Sequence, residues 1–488
     1  MIVKPHVDWF ALSPSLALTG TTGVLLLAAV LVPRGARRPV AAFLAFAGFL
    51  TSLALAVVLD EKSPIATTVV RDAVFRDRWA ALAQVLVAGC GAVAVLVSYR
   101  ERMRDEHIAE YYALLTAAGA GMAFFVQASN LMTLFLGLEW FSIALYVLTA
   151  IDIDLIGSLE AGLKYLIVGA VGSATLLFGS ALVYGTTGQL SFDKIGAAGH
   201  AHDAMLVVGL AMIIAGLAFK ASAAPFHMWT PDAYQGAPTP VTAFMSSATK
   251  IAALVVTYRV LTVAFPHDQR LWTVAIAVIA IVSLAWGNIG ALVQRNVKRI
   301  LAYSSVSHAG FMLIGVAAAN ALGARALMYY LVPYAAMSLG AFAVVAARER
   351  ELGVPVTLQN LAGFGWERPF LGVSMWIFML GMLGFPLTGG FFGKFYVFAA
   401  AYRHGWWWLI VAGVIATMIS AYYYLGIVRA MYFREAAELQ LAPAGGSPPR
   451  DALLGAGVLV CVAVTVGSFF AVQPLIDVAL SAARALPL

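Results

Sequence analysis

The sequence predicts an all-α, polytopic membrane protein of about fourteen transmembrane helices. Three observations predict it: 62% of the 488 residues are apolar, only 11% are charged, and mean hydropathy is +0.89. A soluble domain carries about 25% charged and about 45–50% apolar residues. This chain could not cover itself with a polar surface, which excludes a large water-soluble enzyme. Roughly 300 apolar residues, at about 20 per span, supply on the order of fourteen spans.

The windows of sustained apolar character run over 14–33, 39–59, 79–98, 110–128, 130–150, 160–184 and 204–222. The second half supplies 240–265, 271–291, 299–319, 324–346, 370–389, 406–428 and 452–480. The opening MIVKPHVDWF lacks a charged segment leading into a cleavable apolar core, so the first span is expected to be retained. The longest polar stretches are 60–78, 348–368 and 429–450. The last of these holds Pro443, Gly445, Gly446, Pro448 and Pro449 and reads as a flexible connector.

Two windows are interrupted. In GLAFKASAAPFHMWTPDAYQGAPTP, Lys220 is followed by Pro225, Pro231, Pro238 and Pro240, so the seventh helix is expected to break and to continue to about Tyr234. In MLGMLGFPLTGGFFGKFYVF, Pro386, Gly389, Gly390 and Gly393 precede Lys394, and the twelfth is expected to break and to reach about Tyr402. Broken helices are tolerated inside a bilayer only where protein or a wet cavity satisfies the freed backbone, and in two halves of a transporter they point to an ion pathway.

Net charge is +6, but the basic residues are not gathered on a soluble face, so nucleic acid is not an expected partner. Loops at 34–38, 100–104, 295–299, 348–368 and 429–450 hold fifteen Lys and Arg. The alternate loops hold ten: Lys4, four in 62–78, Lys194, Arg270, Arg325, Arg403 and Arg484. The bias favours the first set as cytoplasmic, with both termini on the outer side. Trp406, Trp407 and Trp408 beside Arg403 suit an interfacial aromatic belt. Cys90 and Cys461 lie in apolar runs as packing residues, and Gly89-Cys90-Gly91 opens no dinucleotide-binding turn. The eight histidines show no metal-ligand spacing, and no metal site is expected.

Five basic residues fall in or beside apolar spans: Lys164, Lys220, Lys250, Arg259 and Lys394; Glu139 joins them. A charge at the bilayer centre costs about 2.5–3.5 kcal/mol by insertion scales. At about 1.5 Å per residue, Glu139 and His308 lie roughly 13 Å into their spans and Lys250 roughly 15 Å beyond Pro240. These groups are too deep to snorkel and must meet partners inside the bundle. A buried Lys–Glu pair suits a proton relay, against the plainer role of an ion pair fastening two helices. Lys164 and Arg259 lie near span ends, from which snorkelling reaches the interface. His227, in the proline-rich break, is either a relay member or a partner for freed carbonyls.

At APFHMWTPDAYQGAPTPVTAFMSSATKIAAL (Ala224–Leu254) the chain resembles the antiporter-like membrane subunits of respiratory complex I, a family that includes Mrp-type cation/proton antiporters. The likeness continues at QRNVKRILAYSSVSHAGFMLIG (Gln294–Gly315), GLEWFSIALYVL (Gly137–Leu148), EAGLKYLIVGA (Glu160–Ala170) and GFPLTGGFFGKFYVF (Gly384–Phe398). It covers about residues 80–430. Lys250 in ATKIA and Lys394 in GKF place the resemblance nearest the N-type branch of proton-translocating NADH–quinone oxidoreductase.

The resemblance implies an N-terminal three-helix segment (1–109), two inverted five-helix repeats (110–265 and 271–428), and a loop with a C-terminal helix (429–488). By motif, Glu139 resembles the fifth-helix glutamate, Lys220 the seventh-helix lysine, Lys250 the eighth-helix lysine on the connecting path, and Lys394 the twelfth-helix lysine near the exit. His308 matches a polar position of the tenth helix. The implied activity is proton translocation in a bacterial inner membrane, driven by redox chemistry elsewhere in the complex. No cofactor is implied on this chain; FMN, iron–sulfur clusters and quinone are implied on other subunits. The implied partners are other membrane subunits, sister antiporter-like subunits among them. Two rival readings are a subunit of an Mrp-type antiporter or membrane-bound hydrogenase, and a structural anchor that does not pump.

Overall fold

A computed structural model describes residues 7–101, 106–198, 203–433 and 451–487. Lys4, Arg102, Arg104, Arg434, Arg450 and the connector with Pro443, Gly445, Gly446, Pro448 and Pro449 lie outside the described residues. The chain begins with α1 (Ser13–Leu31) and α2 (Arg34–Glu61), then a hairpin of β1 (Thr67–Val69) and β2 (Val74–Arg76). Next come α3 (Arg78–Ser98), α4 (Ile108–Phe125), α5 (Leu131–Thr149), α6 (Ile156–Thr187) and the short α7 (Phe192–Ala197). The middle holds α8 (Ala204–Lys220), α9 (Trp229–Gly236), α10 (Thr239–Phe244), a π-helical turn at Met245–Thr249, and α11 (Lys250–Ala264). The second half holds α12 (Gln269–Leu292), α13 (Val297–Ala317), α14 (Ala321–Leu352), α15 (Phe364–Glu367), α16 (Pro369–Leu383) and α17 (Gly389–Arg403). It closes with α18 (Trp407–Tyr432), α19 (Ala452–Phe470) and α20 (Val472–Ala483).

Every apolar window lies on helix, and among the described residues twelve helical segments are long and apolar enough to cross a bilayer. The chain is a multi-pass membrane protein. The seventh window is split as expected: α8 stops at Lys220, Ser222 takes a left-handed φ of 58°, and α9 resumes at Trp229. The twelfth stops at Leu383, turns through Gly384 at φ +87°, and resumes at Gly389. Glycine is needed at 384 because a side chain there would strain the left-handed backbone.

Several helix starts are capped from within, which satisfies backbone donors that water cannot reach in a bilayer. Asp77 accepts from the Ala80 amide at the start of α3, Asn130 forms a capping box with Thr133 on α5, and Asn296 caps α13. Burial sorts the helices into centre and rim. In the most apolar 18-residue stretch of each helix, all residues of the Thr239–Ala264 span and 94% of those in α13 and α14 are buried, against 33% in α6, α18 and α19. Lys250 and His308 therefore sit on the innermost helices.

The loops fall on two faces, and their contacts agree with the alternation of spans. On one face the hairpin, which the sequence did not announce, stitches distant connections together. Phe75 N donates to Gln127 O at 2.7 Å, Asn130 Nδ2 donates to Asp72 O at 2.9 Å, and Lys194 pairs with Asp72 at 2.8 Å. Arg78, at the start of α3, donates to Ser481 of α20 on that face. On the other face Arg38 donates to Glu101 O at 3.0 Å, and Arg350 pairs with Glu101 at 2.7 Å and Asp451 at 3.0 Å.

Three basic residues sit differently from the sequence expectation, one of them Arg348, counted as a loop residue but 5% exposed on α14 and paired with Glu351 and Glu367. Arg259 does not snorkel: it is 1% exposed, and both carboxylate oxygens of Asp77 accept from its Nη2, at 2.6 and 2.7 Å. Its Nη1 donates to Val126 O at 3.0 Å, and its guanidinium lies over the Phe75 ring. A buried carboxylate from another helix supplies what the headgroups would have supplied. Lys298, counted as a loop residue, is 4% exposed, because it donates to the orphan carbonyl of Ala237 at the end of α9. Lys164 is exposed near a span end as expected, and pairs with Glu160 at 2.7 Å and Asp232 at 3.1 Å.

Candidate functional site: a buried polar row

Glu139, Ser142 and Tyr146 recur at helical spacing on α5 and so share one face. That face meets Lys220, the last residue of α8, whose ammonium donates to Ser142 Oγ at 2.7 Å and Tyr146 OH at 3.4 Å. No carboxylate lies within 4.0 Å of it among the described residues, so the expected direct Lys220–Glu139 ion pair is not formed. Aromatic rings surround the amine instead: Phe141, Tyr146, Tyr165 and Phe219 have centroids 5.2–5.8 Å away. Ring faces carry negative charge and stabilise a desolvated cation. Glu139 keeps one buried oxygen, Oε1, that accepts no hydrogen bond among the described residues.

The break in the seventh window brings the second amine to the same turn of backbone. Lys250, with no exposed surface, donates to the carbonyl of Ala221, the residue after Lys220, at 2.9 Å. Lys394, on α17, likewise donates to Leu383 O at the end of α16, at 2.9 Å, and to Thr417 at 3.2 Å. Both lysines thus cap C-terminal helix ends, where orphan carbonyls and the helix dipole favour a cation. A side chain on Gly384 would come within 3.0 Å of Lys394 Cδ, so that turn also shapes the lysine's seat.

Between these amines runs a hydroxyl and imidazole network. Lys250 follows the π-helical turn at Met245–Thr249, a distortion that often marks functional sites. Ser246, in that turn, accepts from Ser338 Oγ at 2.8 Å, and its carbonyl accepts from Tyr334 OH at 3.2 Å. Tyr334 OH meets Ser305 at 3.0 Å, and its ring lies 5.1 Å from that of His308. His308 Nδ1 pairs with Tyr330 OH at 3.0 Å and Nε2 with Tyr424 OH at 3.1 Å. Tyr330 packs on Gly393, next to Lys394, while the Lys394 amine lies 4.4 Å from the Phe311 centroid.

The structure brings Lys220 and Lys250 to one turn and sets His308 between the π-helical turn and Lys394. Sequence reasoning missed Ser142, Ser246, Tyr330, Tyr334 and Tyr424. Their signal was polar groups in mid-span, which are costly in hydrocarbon just as charges are. His227 is 5% exposed, and its Nδ1 has no partner among the described residues. On the face away from the hairpin an acidic cleft of about 440 Å³, lined by Glu101, Asp152, Asp154 and Glu349, reaches Lys298 and Thr239. Among the described residues no cluster of three His, Cys, Asp or Glu side chains is placed to hold a metal ion.

Residues 128–420 match the family described as NADH:quinone oxidoreductase/Mrp antiporter, transmembrane. The chain belongs to this family of antiporter-like membrane subunits. Within it, NADH-quinone oxidoreductase subunit N of Parvibaculum lavamentivorans is 42% identical over 82% of this chain and 82% of its own. Subunit N 2 of Roseiflexus castenholzii is 38% identical over 98% of this chain and 96% of its own. In the structure of respiratory complex I from Thermus thermophilus with bound aureothin, a chain 29% identical superposes with a TM-score of 0.80, covering 96% of this chain and all of that one. A chain of the Mrp complex from Dietzia, 24% identical with a TM-score of 0.83 over 97% of each chain, shares the fold.

Proposed function

We propose that this chain is the N-type membrane subunit of a proton-translocating NADH–quinone oxidoreductase, moving protons through Glu139, Lys220, Lys250, His308 and Lys394. Redox chemistry belongs to other subunits, which carry the FMN, iron–sulfur clusters and quinone. Energy reaches this chain as a change in electrostatics or conformation at the Glu139–Lys220 site. The observation that carries the reading is that three amines are buried with no carboxylate partner among the described residues, held instead by carbonyls, hydroxyls and aromatic rings. An amine so placed can release and recapture a proton when its surroundings shift, and a set of such groups titrates jointly.

The segments 110–265 and 271–428 act as the two repeats, with 1–109 and 429–488 outside them. The Arg-rich face lies on the cytoplasmic side of a bacterial inner membrane, with both termini outside, as the bias of Lys and Arg favours. On that assignment the acidic cleft above Lys298 is the uptake mouth. The chain's neighbours are other membrane subunits, including sister antiporter-like subunits.

The test is Lys220→Ala in the assembled complex reconstituted into vesicles, with protons moved per electron pair as the readout. A fully assembled complex with normal quinone reduction and a normal proton ratio would overturn the relay. A lowered ratio supports it.

A further inference from the structure

On the Arg-rich face, α12, α13, α16 and α18 leave an open groove of about 900 Å³. Its walls are apolar and exposed: Leu292, Trp376, Leu425 and Phe433 line it. Among the described residues no acidic side chain lines it. Arg429, in the last turn of α18, lines it, and the exposed Arg295 follows the lining residue Gln294 and accepts, through its carbonyl, from the amide of another lining residue, Leu358, at 2.9 Å. Neither makes an ion pair or side-chain hydrogen bond among the described residues, whereas Arg299, Arg348, Arg350 and Arg368 on the same face are all paired with carboxylates.

Trp376 lies seven residues beyond the start of α16 at Pro369. The groove therefore runs from the interface to roughly 10 Å inside the span. A slot with a doubly cationic rim and a greasy floor fits one kind of occupant: a molecule with an anionic phosphate at one end and a hydrocarbon chain at the other. We infer that this groove binds an acidic phospholipid of the adjoining leaflet, its phosphate held by Arg295 and Arg429 and one acyl chain lying against Leu292, Trp376 and Leu425. Basic pockets between spans are a general route to acidic-lipid recognition, and each arginine near the surface adds measurably to the attraction. The assignment is independent of the proton relay, since none of these residues belongs to the polar row.

The intact complex, reconstituted in nanodiscs, is exposed to photoactivatable phosphatidylglycerol or phosphatidylcholine analogues, and labelled peptides are mapped by mass spectrometry. Labelling of 291–300 and 421–433 by the phosphatidylglycerol probe should exceed that by phosphatidylcholine on the order of tenfold. Arg295→Gln with Arg429→Gln should erase that preference, and Arg429→Lys should retain it. Soluble glycerol phosphate should not compete. Equal labelling by both headgroups overturns the proposal. So does labelling no higher than that of the buried α13 core, which would mean that a neighbouring subunit fills the groove.

Discussion

Replacing Lys250 by methionine separates a working charge from a fastening one. The substitution keeps an unbranched side chain of similar volume, one heavy atom shorter, and removes the ammonium. That ammonium has no exposed surface and one hydrogen bond, to Ala221 O at 2.9 Å. Losing the donor leaves a buried carbonyl unpaired, at about 1–3 kcal/mol. Removing the ion also relieves a desolvation penalty of several kcal/mol that no counter-ion offsets. The two nearly cancel or favour the variant. Lys250→Met should therefore assemble and resist heat as well as the wild type, while proton movement driven by quinone reduction falls steeply. Thermal unfolding of the purified complex and dye-reported proton uptake in vesicles measure the two sides. A variant that is clearly less stable but pumps normally would make Lys250 a structural tether rather than a relay group.

The buried Arg259–Asp77 pair predicts the reverse pattern. Asp77→Ala strands a guanidinium that is 1% exposed, costing about 3–5 kcal/mol, so assembly seen on native gels should fail without any selective change in pumping. Gly384→Ala forces a side chain into a backbone at φ +87°, at about 1–2 kcal/mol, and presses on Lys394 Cδ. Proton movement should drop by more than stability does, as paired vesicle and melting assays would register. Asp72 lies in the hairpin loop, and the hydrogen bond from Lys194 holds its carboxyl below the ordinary value. A depressed carboxylate stabilises the fold above its unfolded pKa of about 4, and that contribution is lost as pH falls through the lower folded value. Because the pair is part-exposed, the effect is under about 1 kcal/mol, visible as lower protection of the hairpin amides, relative to the intrinsic exchange rate at the same pH, in wild type at low pH but not in Lys194→Gln.

Much of this architecture was legible because a bilayer permits few solutions. Spans follow from apolar length alone, and the breaks at Pro225 and Pro386 follow from lost donors. Glu139, Lys220, Lys250, His308 and Lys394 stood out because charge and imidazole are rare in hydrocarbon. What partners those groups have was not legible. Lys220 gains aromatic faces and Ser142 rather than Glu139, and Lys250 gains a carbonyl 29 positions away at the end of α8, because both depend on how helices cross. Arg259 and Lys298 misled for the same reason: position near a span end says how far a side chain must reach, not whether a partner such as Asp77 waits inside. The hairpin at 67–76 escaped notice because its short strands pair on three residues and owe their place to the loops they stitch.

The claim at the centre is that protons pass along a hydrated polar row through the middle of the molecule. An electron cryomicroscopy map of the complex, sharp enough to place ordered waters, tests it most directly. Waters should bridge Glu139 to Lys220 and link Lys250 through the hydroxyls of Ser246 and Tyr334 to His308 and Lys394. Side chains packed dry between Lys250 and His308, with no water or hydroxyl within hydrogen-bonding reach across the gap, would contradict it.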